Sequence, residues 1–125
     1  MKAFLIDPEA RTVKETDFDG DERSIPRLLG CRGIEFEQWP IGGSHTIGGS
    51  LATRVYSDAK AIENSELHGF QVPETCGIIH HGLCLQVTYQ TRSRVFVNCD
   101  VDVVTLKGYR IYEPEVGISG KKWWN

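Results

Sequence analysis

The stretch that decides the fold runs from Leu83 to Val103 and reads LCLQVTYQTRSRVFVNCDVDV. Apolar and polar side chains alternate in both halves, which is the pattern of paired β-strands that each bury one face. We predict a hairpin in which residues 83–89 and 94–103 are the strands and residues 90–93 are the turn.

Matching the apolar faces of the two strands sets the register of this hairpin. Leu83, Leu85, Val87 and Tyr89 alternate with polar residues, and the valines of the second strand do the same. The match predicts that Tyr89 lies near Val95 and Leu85 near Cys99. The opposite face then gathers four side chains, and it is either solvent-exposed or a polar ligand site: Cys84, Gln86, Asn98 and Asp100.

Patterns before this hairpin predict further elements. Residues 2–6 and 11–18 favour a β-hairpin because they are rich in strand-forming residues. Residues 22–29 carry apolar side chains at helical spacing and predict a short helix. Asp21 is suited to cap its start, and Gly30 to end it.

Three more segments predict strands, namely residues 33–39, 51–57 and 109–112, the last as an extension of the same sheet. Residues 58–68 fit either a short helix or a turn and a loop. The sequence as a whole, residues 1–125, predicts a single α+β domain, mainly antiparallel sheet with one or two short helices.

Composition limits the classes of partner. The 125 residues carry a net charge of −3, which argues against binding of bulk nucleic acid. The segment 92–125 has six basic and four acidic side chains, so a small anion remains compatible with it. No apolar run is long enough for a signal peptide or a membrane span, and we expect a cytoplasmic protein whose four cysteines stay reduced.

Two segments allow a structural and a functional interpretation. Residues 42–50 repeat Gly-Gly-Ser, which indicates a flexible hairpin tip or a nest of backbone N–H groups for an anion. The adjacent tryptophans Trp123 and Trp124 are expected either to dock on the domain or to be buried in an oligomer interface.

A Cys/His cluster is the strongest candidate for chemistry. It consists of Cys76, His80, His81 and Cys84, which are residue types that bind zinc, but the spacing is not that of a standard zinc knuckle. A cysteine hydrolase would need an activated thiol, for which Cys84 with His81 and Asp100 is the candidate set. No catalytic signature stands out, so we expect no metal and no cofactor.

Several segments carry a family resemblance: Lys2–Pro8, Arg11–Glu15, Asp19–Asp21, Ser24–Cys31 and, more loosely, Arg54–Asp58, Phe70 and Gly82–Leu85. They resemble small proteins of phages and mobile elements classed as a domain of unknown function. The pattern of that family is an apolar strand ending in Asp/Asn-Pro, a Thr-Val/Ile strand, Asp-Gly-Asp, and a short helix ending near Leu-Gly-Cys. The stretch 90–125 departs from it.

This resemblance implies a phage-type origin and no catalytic motif. We therefore expect an accessory protein that forms a homo-oligomer and counters a bacterial defence by binding. It would sequester a small anionic nucleotide signal or inhibit a host defence protein. The alternative is a small hydrolase, with or without a metal ion, that uses the Cys/His cluster. Nucleotide-sequestering proteins of phages grip phosphates with arginines and stack bases on aromatic rings, and the matching residue types here are Arg92, Arg94, Phe96, Asn98, Tyr109 and Arg110.

Overall fold

Two antiparallel sheets and a short helix form three layers in this computed structural model, which describes residues 1–41, 51–73, 77–99, 101, 103–106 and 108–122. Four features singled out from the sequence lie outside the described residues: the segment 42–50, Cys76, Asp100 and the pair Trp123–Trp124. None of the described helices is long and apolar enough to cross a membrane.

The predicted α+β class, mainly antiparallel sheet with short helices, is confirmed. The described elements, in chain order, are β1 (Lys2–Asp7), β2 (Thr12–Asp17), α1 (Ile25–Leu29), β3 (Ile34–Pro40), β4 (Leu51–Asp58), β5 (Gly69–Gln71), β6 (Ile79–His81), β7 (Cys84–Gln90), β8 (Val95–Val97), α2 (Val103–Leu106), β9 (Arg110–Glu113) and β10 (Gly117–Lys122).

The first sheet has β7 at its centre. Its strand order is β2-β1-β7-β4-β3, and β8 pairs with the far end of β7, beyond the part that pairs with β1. The predicted hairpin of the N-terminal segment is confirmed as β1 and β2. Residues 84–88 are all buried because elements pack on both faces of β7.

The second sheet, in the order β10-β9-β5-β6, covers one face of the first. The prediction that residues 109–112 extend the sheet of the central hairpin is wrong, since β9 pairs with β5 and β10 instead. Side chains of both sheets form one core, which includes Phe4 and Val55 from the first sheet and Phe70 and Ile111 from the second.

Helix α1 covers the other face of the first sheet. A single 3-10 turn precedes it, and the Asp21 carboxylate accepts a hydrogen bond from the backbone N–H of Arg23 at 2.9 Å, as the predicted cap requires. Gly30 ends the helix with φ 66° and ψ 35°, a left-handed conformation that glycine adopts at little cost. Ile25 and Leu29 pack between this helix and the sheet.

The predicted register of the central hairpin is wrong by one residue. Tyr89 lies opposite Phe96, and Gln90 opposite Val95. The turn comprises residues 91–94 and is closed by a 2.9 Å hydrogen bond from the backbone N–H of Arg94 to the carbonyl of Gln90. Arg94 has φ 58° and therefore belongs to the turn, not to the strand. Because side chains alternate along a strand, the shift moves Phe96 to the helix-covered face.

The second strand of this hairpin is also shorter than predicted. It ends at Val97 because the next residues turn towards β1: the Asn98 side-chain oxygen accepts a hydrogen bond from the backbone N–H of Lys2 at 2.8 Å, and Cys99 donates its own N–H to the Lys2 carbonyl at 2.9 Å. Of the segment 58–68, Asp58 ends β4 and the residues after it form turns and a loop, so the turn-and-loop alternative holds.

Candidate functional site

A column of small and polar side chains on β4 and β7 faces the second sheet. Thr53 lies opposite Thr88, Val55 opposite Gln86, and Ser57 opposite Cys84. All six residues are buried. The polar face predicted from the sequence is therefore not solvent-exposed, and its members on β7 lie inside the molecule.

Gln86 is the most unusual member of this column, since its side chain is 0% exposed. Phe4 on β1 and Val55 on β4 flank it, and neither can form a hydrogen bond with its amide. The Tyr109 hydroxyl donates a hydrogen bond to Gln86 Oε1 at 2.9 Å. Among the described residues, nothing bonds Gln86 Nε2 or the Thr88 hydroxyl.

An unpaired buried amide nitrogen is costly, at about 1–3 kcal/mol, and is rare in native proteins. Beside Gln86 the structure has a cavity of about 170 Å³. Its walls include the rings of Trp39 and Tyr109, and Thr53 and Thr105 add hydroxyl groups. The cavity can hold several waters or one ligand ring, because a cavity of about 150 Å³ admits a single benzene ring.

Of the residues predicted to bind a ligand, Tyr109 belongs to this cavity. It is 5% exposed, lies in the wall of the cavity and stacks on Phe70 with ring centroids 5.7 Å apart. Arg110 follows it in the chain but is exposed, and the neighbouring Ile111 is the buried residue of β9.

Phe96 lies on the opposite face of the first sheet from Tyr109. Its ring contacts Phe18 and Tyr89 at centroid distances of 5.1 and 5.0 Å. The structure therefore does not bring these two predicted rings into one site.

The remaining predicted ligand residues are spread over the surface at the end of β7 and beyond it. Arg92 and Arg94 are exposed in the turn between β7 and β8. The side chain of Asn98 is used in the hydrogen bond to the backbone of Lys2. We conclude that the predicted six residues form no single described pocket.

The Arg54 guanidinium packs against the aromatic cluster around Phe96. Its guanidinium carbon lies 3.6 Å from the centroid of Tyr89 and 4.1 Å from that of Phe36. It donates hydrogen bonds to Gln38 and to the Tyr56 hydroxyl, which in turn donates to Glu22. Sequence reasoning missed this cluster because its members come from separate elements. Nε and Nη1 of Arg54 make these hydrogen bonds while aromatic rings pack on the guanidinium, so Arg54 links β3, β4 and β7.

The Cys/His cluster does not form one site in the described residues. Burial raises the pKa of the Cys84 thiol to about 12, so the thiol is protonated and is a poor nucleophile. His80 and His81 project to opposite faces of β6: His80 stacks on Phe70, whereas His81 contacts Tyr112 and the carbonyl of Leu67. Within the described part of the chain, no three His, Cys, Asp or Glu side chains could hold a metal ion.

His80 is a second buried polar side chain with an unused atom. It is 4% exposed, and its Nε2 has no hydrogen-bond partner among the described residues. Its ring lies between Phe70 and Trp39, at centroid distances of 5.1 and 6.0 Å. Burial, with a smaller contribution from His81, lowers the pKa of His80 to about 4. The ring is therefore neutral near pH 7.

Comparison with known proteins gives no match to a family model, a curated protein or a solved structure.

Proposed function

We propose that this protein acts by binding a small molecule, and that a planar, polar ring of the ligand enters the cavity beside Gln86. The observation that carries the proposal is the unused Gln86 Nε2 next to that cavity. A buried donor of this kind is satisfied when a ligand atom or a water accepts its hydrogen bond.

The cavity wall defines the chemical class of the ring. A carbonyl oxygen or an unprotonated ring nitrogen would accept from Gln86 Nε2, and the rings of Trp39 and Tyr109 offer apolar contact. No charged side chain lines the cavity among the described residues, so the bound part is neutral. A pyrimidine-type base has this chemistry, with its sugar and phosphates outside the cavity.

The biological role in this proposal is that of a phage-type accessory protein in the host cytoplasm. Sequestration of a small nucleotide signal would use the cavity directly. Inhibition of a host defence protein is the other form of the same role, and it would use the outer surface. Assembly into a homo-oligomer belongs to the proposal as well, and light scattering during size-exclusion chromatography tests it, since a monomer mass would contradict it.

The test of the binding site is a calorimetric titration with uridine, cytidine, their monophosphates, cyclic nucleotides and ADP-ribose. We expect a pyrimidine compound to bind the wild type. Gln86→Leu replaces the amide with an apolar side chain. It should weaken that binding about tenfold or more, as loss of a buried hydrogen bond predicts.

Gln38→Leu is the matched control, because Gln38 lies on exposed β3 and bonds Arg54 on the other face of the sheet. It should leave binding unchanged. Binding of none of the compounds would contradict the proposal that the ligand is a nucleotide. Water would then be the hydrogen-bond partner of Gln86 Nε2. Binding that survives Gln86→Leu would place the ligand elsewhere.

The hydrolase alternative has less support. Its candidate nucleophile is the protonated, fully buried Cys84 thiol, which a substrate cannot reach without rearrangement of the sheets. No described geometry favours a specific hydrolytic reaction.

A further inference from the structure

A second cleft, of about 340 Å³, opens where the edge strands of the two sheets face each other. Strand β3 contributes Glu35 and Glu37 to it, and β6 contributes His80. The turn that follows β4 adds Glu63. The cleft shares no lining residue with the cavity beside Gln86, and it is therefore a separate candidate site.

The charged side chains of this cleft are all acidic. Glu35, Glu37 and Glu63 line it, whereas no lysine or arginine does among the described residues. None of these three carboxylates forms an ion pair within the described part of the chain. Glu35 and Glu37 are two residues apart on one strand, so their side chains point the same way, about 6.6–6.8 Å apart along the strand.

His80 supplies an observation that is independent of this acidic group. Its side chain is nearly completely buried, lines the cleft and has no partner for Nε2. A neutral imidazole has one nitrogen that accepts a hydrogen bond and one that donates. In the tautomer with hydrogen on Nδ1, Nε2 accepts from a ligand N–H group.

Apolar side chains complete the lining, with Val55 in the floor and Ile62 and Ile78 nearby. The cleft therefore combines negative charge, one buried hydrogen-bond acceptor and apolar surface. This combination fits a cation that carries N–H donors on a short hydrocarbon chain. A bare metal ion fits less well, because no three described ligands are placed to hold one.

We propose that this cleft binds an organic cation through an ammonium or guanidinium group, with Glu35 and Glu37 providing the charge and His80 Nε2 accepting a hydrogen bond. This site is independent of the proposed binding of a neutral ring beside Gln86. A titration with cations can therefore show no binding while a titration with pyrimidine compounds shows binding, and the reverse, so each proposal is tested by its own titration.

The first experiment is a calorimetric titration of the full chain with agmatine and 1,4-diaminobutane at about 0.15 M salt, with butanol as the uncharged comparison. We expect the amines to bind and butanol not to bind. The double variant Glu35→Gln/Glu37→Gln should weaken binding at least about fivefold, in keeping with the loss of two partly exposed ion pairs.

The matched control is Glu9→Gln/Glu15→Gln, which changes the net charge equally at exposed positions outside the cleft. It should change the affinity less than about twofold, because exposed charges beyond a Debye length are screened. Equal weakening by both double variants would mean attraction by net charge alone and would overturn the proposal. So would the absence of amine binding.

His80→Phe tests the hydrogen bond while keeping a ring between Phe70 and Trp39. We expect about a tenfold loss of affinity, typical of a lost hydrogen bond to a charged group. In the wild type, the His80 imidazole resonances should shift on titration with agmatine. If His80→Phe does not fold, the imidazole resonances of the wild type test the hydrogen bond by themselves. Resonances that do not shift at saturating agmatine would overturn the role of His80.

The cation could reach the cleft as a free amine or as a side chain of a peptide. N-acetyl-lysine and N-acetyl-arginine methylamides distinguish these sources in the same titration. Binding of either class supports the cation site, and binding of neither class contradicts it.

Discussion

At the scale of single residues, Gln86 and Tyr109 link the two sheets by one buried hydrogen bond. The Tyr109 hydroxyl donates to Gln86 Oε1 at 2.9 Å, and both side chains are nearly or fully buried. Tyr109→Phe removes this donor and leaves Oε1 in an apolar setting beside Phe4. We expect the variant to lose about 1–2 kcal/mol of unfolding free energy in urea titrations.

A double-mutant cycle separates this hydrogen bond from packing. Gln86→Leu leaves the Tyr109 hydroxyl without Gln86, whereas Gln86→Leu with Tyr109→Phe removes both partners. The double variant should therefore be more stable than the sum of the two single effects predicts, by about 1 kcal/mol. Strict additivity would contradict a direct interaction between the two side chains.

His80 makes a pH-dependent contribution to stability. Its pKa is about 4 in the folded protein, below the usual 6.5, because burial disfavours the charged ring and His81 adds to this. Between pH 4 and pH 6.5, His80 is therefore protonated more readily in the unfolded chain than in the folded protein. The contribution of neutral His80 to the unfolding free energy is fully present above about pH 6.5. It declines as the pH falls towards 4, by about 3 kcal/mol in total.

The measurement is the unfolding free energy of wild type and His80→Phe from pH 7.5 to 4. The difference between them should change across this window, because His80→Phe has no proton to bind at this position. Parallel curves would show that His80 is not buried as a neutral ring. The comparison also removes the common contribution of carboxylates that titrate near pH 4.

The candidate site could be predicted only in part from the sequence. The alternation of Cys84, Gln86 and Thr88 marked a polar strand face, and a ligand site was one of its two interpretations. What covers this face could not be derived, because the second sheet is assembled from short strands β5, β6, β9 and β10 that have weak periodic signals. Tyr109 was predicted to bind a ligand, but its neighbour in the site, Trp39, was not.

At the scale of elements, Gly30 is decisive for the end of α1. Its φ of 66° lies in the left-handed region, where an L side chain is disfavoured although no heavy atom lies within 4 Å of an added Cβ. Gly30→Ala should therefore lower the unfolding free energy by about 1 kcal/mol, through backbone conformation rather than a clash.

Gly33→Ala is the control for this substitution. An added Cβ at Gly33 would contact Ala59 Cβ at 3.7 Å, an ordinary distance, and its φ is not in the left-handed region. We expect a neutral or slightly stabilising effect, since alanine restricts the unfolded chain. Equal urea midpoints for the two variants would contradict the assignment of Gly30 as the residue that terminates the helix.

The sequence predicted the ends of the helical segment correctly, because these depend on neighbouring residues. It did not predict the register between β7 and β8. Asp21 and Gly30 bound the helical segment because each acts on the adjacent backbone: Asp21 caps the 3-10 turn that precedes α1, and Gly30 ends α1. The register of β7 and β8 depends on whether Arg94 belongs to the turn. A positive φ at a non-glycine residue has no reliable sequence signal, and one residue is enough to exchange the faces of Val95 and Phe96.

At the scale of the whole molecule, the first sheet is the shared middle layer. The core on the helix side includes Leu29 and Leu85, and the core between the sheets includes Cys84 and Ile111. Leu85 and Cys84 are neighbours on β7 but belong to different cores. Loss of packing on either face therefore disturbs the same central strand, and we expect the two cores to unfold together.

Thiol labelling of Cys84 tests this cooperativity. The thiol is buried and protonated, with a pKa of about 12, so labelling requires an opening that restores its usual reactivity. We expect the free energy of opening from iodoacetamide labelling, followed on the Cys84 peptide by mass spectrometry, to equal the global value from urea. Leu29→Ala, on the other side of the sheet, should lower both by the same amount, about 2–3 kcal/mol.

Leu67→Ala is the control, because Leu67 is 37% exposed and lies in a turn outside both cores. It should lower both free energies by less than about 1 kcal/mol. If Leu29→Ala lowers the urea value but leaves the labelling of Cys84 unchanged, the two sheets separate without loss of the helix side. That outcome would contradict a single cooperative unit and would point to opening of the inter-sheet core as the route by which a ligand reaches Gln86.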